Sequence, residues 1–238
     1  MLPRLAEIKA VFPDSFVFYR PKDVISGDFY WFANKFEANI QIIVTSDCTG
    51  HGVPGAFMSL IANSLLEEVC NMRGIAHTDQ ILLALHQSLQ KALKQEQNEN
   101  HDGFDIALCI IDKTNQEIEF SGAGNPLYFV HNNTFETIKG NFGGIGGHSR
   151  KITNEFVRHT INFDKTITFY IFSDGLQDQF GGEANKRYSS KRLRNTLEEL
   201  HLLPMAEQKT KIEQSFIEWK QNYRQNDDVL LLGIKVEI

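Results

Sequence analysis

Four aspartates of this 238-residue chain stand where an apolar, strand-like run begins or ends, and no basic residue adjoins any of them. Asp28 follows a Ser26-Gly27 turn and opens Phe29-Tyr30-Trp31. Asp47 closes Ile42-Ile43-Val44-Thr45-Ser46, and Asp174 closes the run from Ile167 to Ser173. The pair Asp227-Asp228 opens Val229-Leu230-Leu231-Leu232-Gly233-Ile234. A buried or half-buried carboxylate without a counter-charge is costly, and a hard divalent cation held by oxygen is its natural partner. Each acid also has an ordinary explanation on its own. Asp-Gly after a strand is a common turn, and two adjacent acids usually sit in a solvated loop. The four gain weight together, because one rim of a β-sandwich brings four strand ends within reach of the same ions.

The segment 47–57, DCTGHGVPGAF, adds three glycines and a proline between a buried strand and a helix start. The helix N-terminus offers backbone N–H groups to an anion, so a carboxylate and a phosphate-friendly turn lie within a few residues of each other. It lacks the Lys-Ser or Lys-Thr ending of a P-loop. His51 within it is a candidate for protonating a leaving oxygen or binding phosphate. Arg20 and Lys22, ahead of Asp28, are candidates for meeting a substrate phosphate, or else simple surface charges. Cys48, Cys70 and Cys109 have neither paired spacing nor a surrounding Arg and Gly-rich loop. They read as reduced thiols rather than a disulfide framework, a zinc site or a catalytic nucleophile.

Apolar residues make up 42% of the chain and the formal net charge is -6. That balance fits a folded globular protein and argues against nucleic-acid or anionic-membrane binding as the main activity. The apolar runs are strand-sized and the N-terminus lacks a signal-peptide core, so the expected location is the cytoplasm, with no direct membrane contact.

The elements that must position the acids follow from periodicity. Leu2, Leu5, Ile8 and Val11 predict a short helix stopped by Pro13. Strands are expected at Phe16 to Arg20, Asp28 to Ala33 and Ile40 to Ser46. A helix after Pro54 should bury Phe57, Leu60, Ile61, Leu65 and Val69 on one face and end near Gly74. A second, capped by Thr78, carries Leu82, Leu85, Leu89 and Leu93, and gives way to a polar surface loop from Gln95 to His101. Strands then recur at Asp105 to Ile111, Glu117 to Ser121, Leu127 to His131, Phe135 to Ile138, Glu155 to Ile161 and Thr166 to Ser173. Helices over about 189–201 and 205–223 precede a last strand at Val229 to Val236. This order is not the alternation of a parallel α/β fold. It predicts an α+β protein, a central antiparallel β-sandwich flanked by helix pairs.

The segments SGDFYW, DCTGHGVPGAF, FSDGL and NDDVLLLGI, in this order and over nearly the whole chain, resemble the motifs of the metal-dependent PPM serine/threonine phosphatases. The resemblance is closer to the bacterial SpoIIE/RsbU branch, relatives of protein phosphatase 2C. It implies an αββα sandwich, and a single SpoIIE-type domain over residues 1–238 with residues 1–12 as a connecting helix. It implies two Mn²⁺ or Mg²⁺ ions held by Asp28, Asp47, Asp174 and Asp227, with Asp47 bridging and Cys48 giving its backbone carbonyl. Asp228 remains an alternative to Asp227, and Asp178 resembles a position that helps to hold a third ion. The implied reaction is direct attack of metal-activated water on a phosphoserine or phosphothreonine. The implied partner is a phosphorylated regulatory protein such as an anti-sigma-factor antagonist, with a homodimer and the 54–98 helix pair as means of control. The rival from another class is a non-catalytic module that binds a phosphoprotein through the same fold. Retention of all four aspartates counts against it. The chain departs from many relatives at Phe142 to Ser149, where a glycine-rich, mobile loop is expected in place of a Pro-Ile-Gly or Pro-Leu-Gly turn.

Overall fold

The computed structural model describes residues 2–35, 39–147 and 155–238. In chain order the elements are α1 (Leu5–Val11), β1 (Ser15–Arg20), β2 (Phe29–Lys35), β3 (Ile40–Cys48), α2 (Gly52–Leu66) and α3 (Thr78–Ala92). There follow β4 (Gly103–Asp112), β5 (Glu117–Ala123), β6 (Leu127–His131), β7 (Thr134–Ile138), β8 (Ile145–Gly146), β9 (His159–Asn162) and β10 (Thr166–Phe172). The chain continues through α4 (Gly175–Asp178), β11 (Phe180–Gly181), β12 (Lys186–Arg187), α5 (Ser190–Leu200), α6 (Met205–Lys220) and β13 (Val229–Glu237). One sheet has the order β1-β13-β10-β6-β7 and the other β2-β3-β4-β5-β9, with β8 added on β4 and β11-β12 forming a separate ribbon.

Period-two alternation explains why the apolar runs are nearly unbroken. On β3 and β4, Ile43, Ala107, Cys109 and Ile111 face the gap between the sheets, where they meet Phe169 and Ile171 of β10 and Leu230 and Leu232 of β13. The alternate residues Ile42, Val44, Ile106 and Leu108 pack under Leu82, Leu85 and Leu89 of α3. On the far side, Tyr170, Phe172 and Leu231 lie under Leu193 and Leu197 of α5 and Phe216 of α6. Both sheets are covered on both faces, which gives the four-layer αββα sandwich. No helix among the described residues is long and apolar enough to cross a membrane.

Several expectations change. In α2 the buried face is Gly55, Met58, Ser59, Ala62, Leu65 and Leu66, whereas Phe57 is 63% and Leu60 51% exposed. The rotation is set by Gly55, where a Cβ would collide with the Gly50 carbonyl, so small residues face inward and the large ones turn out. The helix runs on through a π-helical turn, Glu67–Met72, which buries Val69 and Cys70 before Gly74 at φ +65°. Thr78 is the first residue of α3 rather than its cap. Its N–H donates to Glu119 Oε1 of β5 (2.5 Å), so a carboxylate from the sheet faces the positive end of the helix dipole.

Residues 155–158 are not strand, because Asn141 and Ser121 satisfy their backbone in place of a ladder. Val157 N–H donates to Asn141 Oδ1, and Ser121 Oγ donates to the Val157 carbonyl. Gln95, placed in a surface loop by sequence, is fully buried. Its amide donates to the Asp102 carbonyl and its oxygen accepts from Gly147 N–H. The described part of the glycine-rich loop is held through β8, where Gly103 pairs with Gly146 and Phe104 with Ile145, and through Gly146 N–H on His86 Nδ1. His148 and Ser149 lie outside the described residues.

Candidate metal centre

The rim of the sandwich where β3 and β10 end and β4 and β13 begin carries the acids. Asp47 is the penultimate residue of β3 and stands directly across from Asp105 of β4. Asp174 follows β10, with its N–H 3.5 Å from Asp47 Oδ2, and Asp227 precedes β13. Asp47, Cys48, Asp105, Asp174 and Asp227 line one open cavity of about 640 Å³. Asp28, just before β2, is only 3% exposed and does not line it. It is buried close enough to Asp47 for the two charges to oppose each other, and Ser173 supplies it a hydrogen bond. Its Oδ2 is buried with no hydrogen-bond partner.

Burial is the main cause of the carboxylates' high pKa values, and their mutual repulsion adds to it. Asp28 is held well above the usual range by burial and then by Asp47. Burial and Asp174 push Asp47 up to about 8. Burial and then Asp174 raise Asp105 to about 6. Asp174 is raised by burial, then by Asp178 and Asp227, and is eased slightly by Arg187. Four acids that resist ionisation because they are buried and repel one another, one of them with an orphaned oxygen, are a donor set fitted to hard divalent cations. Among the described residues no three acidic, imidazole or thiol groups already stand at ligating distance from one point. The acids surround the cavity rather than clasp a fixed position.

Backbone packing holds the loops in place. A Cβ at Gly27 would come to 2.7 Å from the Gly50 carbonyl, and Gly55 leaves no more room, so these three glycines bring the Asp28 loop, the Asp47 loop and the start of α2 into contact. Asp228 works from below. Its carboxylate accepts from Lys22 N–H (2.7 Å) and Gly27 N–H (2.8 Å), fixing the turn that delivers Asp28. Of the two adjacent acids, Asp227 lines the cavity, whereas Asp228 is engaged by backbone N–H groups.

His51 lines the cavity and its Nδ1 is 2.9 Å from Asp23 Oδ2. Arg20 turns away to Gln225 and the Phe216 ring. The Lys22 side chain does not line the cavity either. Asp178 is paired with Arg187 of β12 at 3.2 Å. The three thiols are buried and their pKa values are raised by that burial, which makes them poor nucleophiles. Asp105 is the cavity residue that motif reading passed over, although it bears the same mark as the others, a lone acid at the head of the apolar run Ile106-Ala107-Leu108.

The family model described as stage II sporulation protein E, SpoIIE, matches residues 39–237. The chain belongs to the SpoIIE family. As a SpoIIE-family chain it is a homologue of PPM-type serine/threonine phosphatases. It is similar to the SiaA-PP2C domain of Pseudomonas aeruginosa, at 26% identity and TM-score 0.87, over 98% of this chain and 90% of that one. The RsbU and RsbW domains of a Mycobacterium tuberculosis protein match at 16% identity and TM-score 0.71, over 94% of this chain and 59% of that one. RsbX in complex with magnesium matches at 15% identity and TM-score 0.64, over 93% and 94% of the two chains. Comparison with curated proteins gives no match. The αββα layering read from element order is the PP2C-like fold of these neighbours.

Proposed function

We propose that this SpoIIE-family chain is a single cytoplasmic domain that removes phosphate from a serine or threonine of a regulatory partner protein, with two Mn²⁺ or Mg²⁺ ions as cofactors. The observation that carries the reading is the gathering of Asp47, Asp174 and Asp227 around one cavity, with Asp28 buried beside Asp47 and one of its oxygens unpartnered. Asp28, Asp47, Asp174, Asp227 and the Cys48 carbonyl hold the ions. When bound, the ions supply an activated water and positive charge against the phosphoryl oxygens.

The chain's own work is positional. Asp228 holds the Asp28 turn through two backbone N–H groups, and the Gly27, Gly50 and Gly55 contacts fix the spacing of that turn from the Asp47 loop. Asp178 takes up the Arg187 charge beside Asp174. The openness of the cavity suits a phosphorylated side chain presented on a protein surface. The presence of RsbU and RsbW domains in one neighbour supports a regulatory protein partner, an anti-sigma-factor antagonist being the class we favour. A homodimer completes the proposal.

The test is turnover of a phosphoserine protein and of a small aryl phosphate with and without Mn²⁺. Wild type is expected to require the metal. Asp47→Asn and Asp174→Asn, folded by circular dichroism, should each lose on the order of 10²-fold or more in kcat, the scale of removing one charge-stabilising group from a site. Metal-independent turnover, or full activity in both variants, moves the chemistry elsewhere.

A further inference from the structure

We infer that Asp105 is a fifth carboxylate ligand of the divalent-ion centre, an inference that rests on the metal-dependent reading above. Directly opposed residues of an antiparallel pair project to the same side, and Asp105 is the cross-strand partner of Asp47, so both carboxylates enter the same cavity. Like charges placed in this way repel, and a cation held between them removes that penalty.

Several other aspartates of this fold are held by hydrogen bonds or an ion pair, although Asp79 also keeps a buried Oδ1 with no hydrogen-bond partner. Asp228 accepts two backbone N–H groups. Asp112 accepts from Thr114, Asn115 N–H and the Asn115 amide. Asp14 accepts from Met205 N–H, and Asp178 has Arg187. Neither oxygen of Asp105 receives a hydrogen bond from a described residue. Asp105 is half-buried at the cavity, whereas the neighbouring Asp28 is buried and its Oδ2 has no partner.

The surroundings of Asp105 are shaped to its carboxylate. A Cβ at Gly124, which has φ +79°, would collide with the Asp105 carboxyl group, and one at Gly144 would come to 2.5 Å from its Oδ1. Two bare backbone segments, one after β5 and one before β8, therefore wall the group without giving it a donor. The open direction is the cavity, toward Asp47 and Asp174. A hydrogen-bonding role would have called for N–H groups on those walls, whereas a ligand role needs only that the oxygens be held and left free.

The experiment counts bound Mn²⁺ by electron paramagnetic resonance and titration calorimetry on wild type, Asp105→Asn and Asp47→Asn, with melting temperatures in chelator and in Mn²⁺. Asp105→Asn is expected to melt in chelator at or above the wild-type temperature, since a repelling charge is gone. In Mn²⁺ it should lose one ion or bind more than threefold more weakly, and gain less on melting. Asp47→Asn is the control for the centre itself. If it binds Mn²⁺ like wild type, the metal reading fails as a whole. If it loses Mn²⁺ while Asp105→Asn keeps full stoichiometry with affinity within threefold of wild type, the Asp105 assignment alone falls. Unfolding of Asp105→Asn in chelator would also overturn it, in favour of a purely structural role.

Discussion

At the scale of single residues, two adjacent acids of one sequence motif have been given different work. Asp227 faces the cavity, while Asp228 is 2% exposed and is consumed by Lys22 and Gly27 N–H. Removing Asp228 strands two backbone donors, and hydrogen bonds to a charged acceptor contribute about 1.5–3 kcal/mol each. Asp228→Ala should therefore cost about 3 kcal/mol in urea unfolding and weaken Mn²⁺ binding through the displaced Asp28 turn. Asp228→Asn, which keeps one acceptor, should lose roughly half as much. Equal stability of Asp228→Ala and wild type would show that the turn holds without this latch. The motif alone could not separate the two acids, since the distinction depends on a partner loop some two hundred residues earlier. Asp105 escaped for a related reason. Its meaning comes from the β3–β4 register, which places it opposite Asp47 and which no local pattern displays.

At the scale of elements, α2 shows where apolar periodicity misleads. Its stripe of Phe57, Leu60 and Ile61 promised a core face, but the close approach of Gly55 to Gly50 decides the rotation. Gly55→Ala is expected to destabilise by about 1–3 kcal/mol, the range for overpacking a tight site, and to lower Mn²⁺ affinity because the Asp47 loop must shift. Phe57→Ser, on the exposed face, should stay within about 0.5 kcal/mol of wild type. Chemical denaturation of both variants checks the pair, and the reverse ranking would restore the face that periodicity favoured. The longer strands and helices were legible because their runs exceed four residues and repeat at periods of two or 3.6. The two-residue strands β8, β11 and β12 carry no such signal, and the stretch before β9 reads as strand yet is tied down by side chains from elsewhere.

For the whole molecule, the crowded carboxylates make stability depend on pH and on divalent ions together. Asp47 in the folded protein is raised to about 8, above its unfolded value near 4. Between those limits the folded state holds a proton that the unfolded state has released. In chelator, stability is therefore expected to fall as pH rises from about 4 to about 8, and Asp47→Asn should flatten that slope. Mn²⁺ at a hundred times its Kd should add about 2.7 kcal/mol, and a fixed Mn²⁺ concentration should stabilise more at pH 8, where the competing protons are fewer, than at pH 5. Thermal melts across that range, with and without the ion, check both statements. A chelated protein that grows more stable toward pH 8 would mean the acids are already neutralised by something else.

The strand that follows Asp227 comes last in the sequence order of this fold, and it lies between β1 and β10 rather than at an edge. A growing polypeptide that has not yet released residues 229–237 leaves a gap in the middle of one sheet, with β1 detached from its neighbours. Until that gap is filled, Asp227 has no strand to hold it beside Asp47 and Asp174. The full set of cavity acids is thus assembled only once β13 is in place.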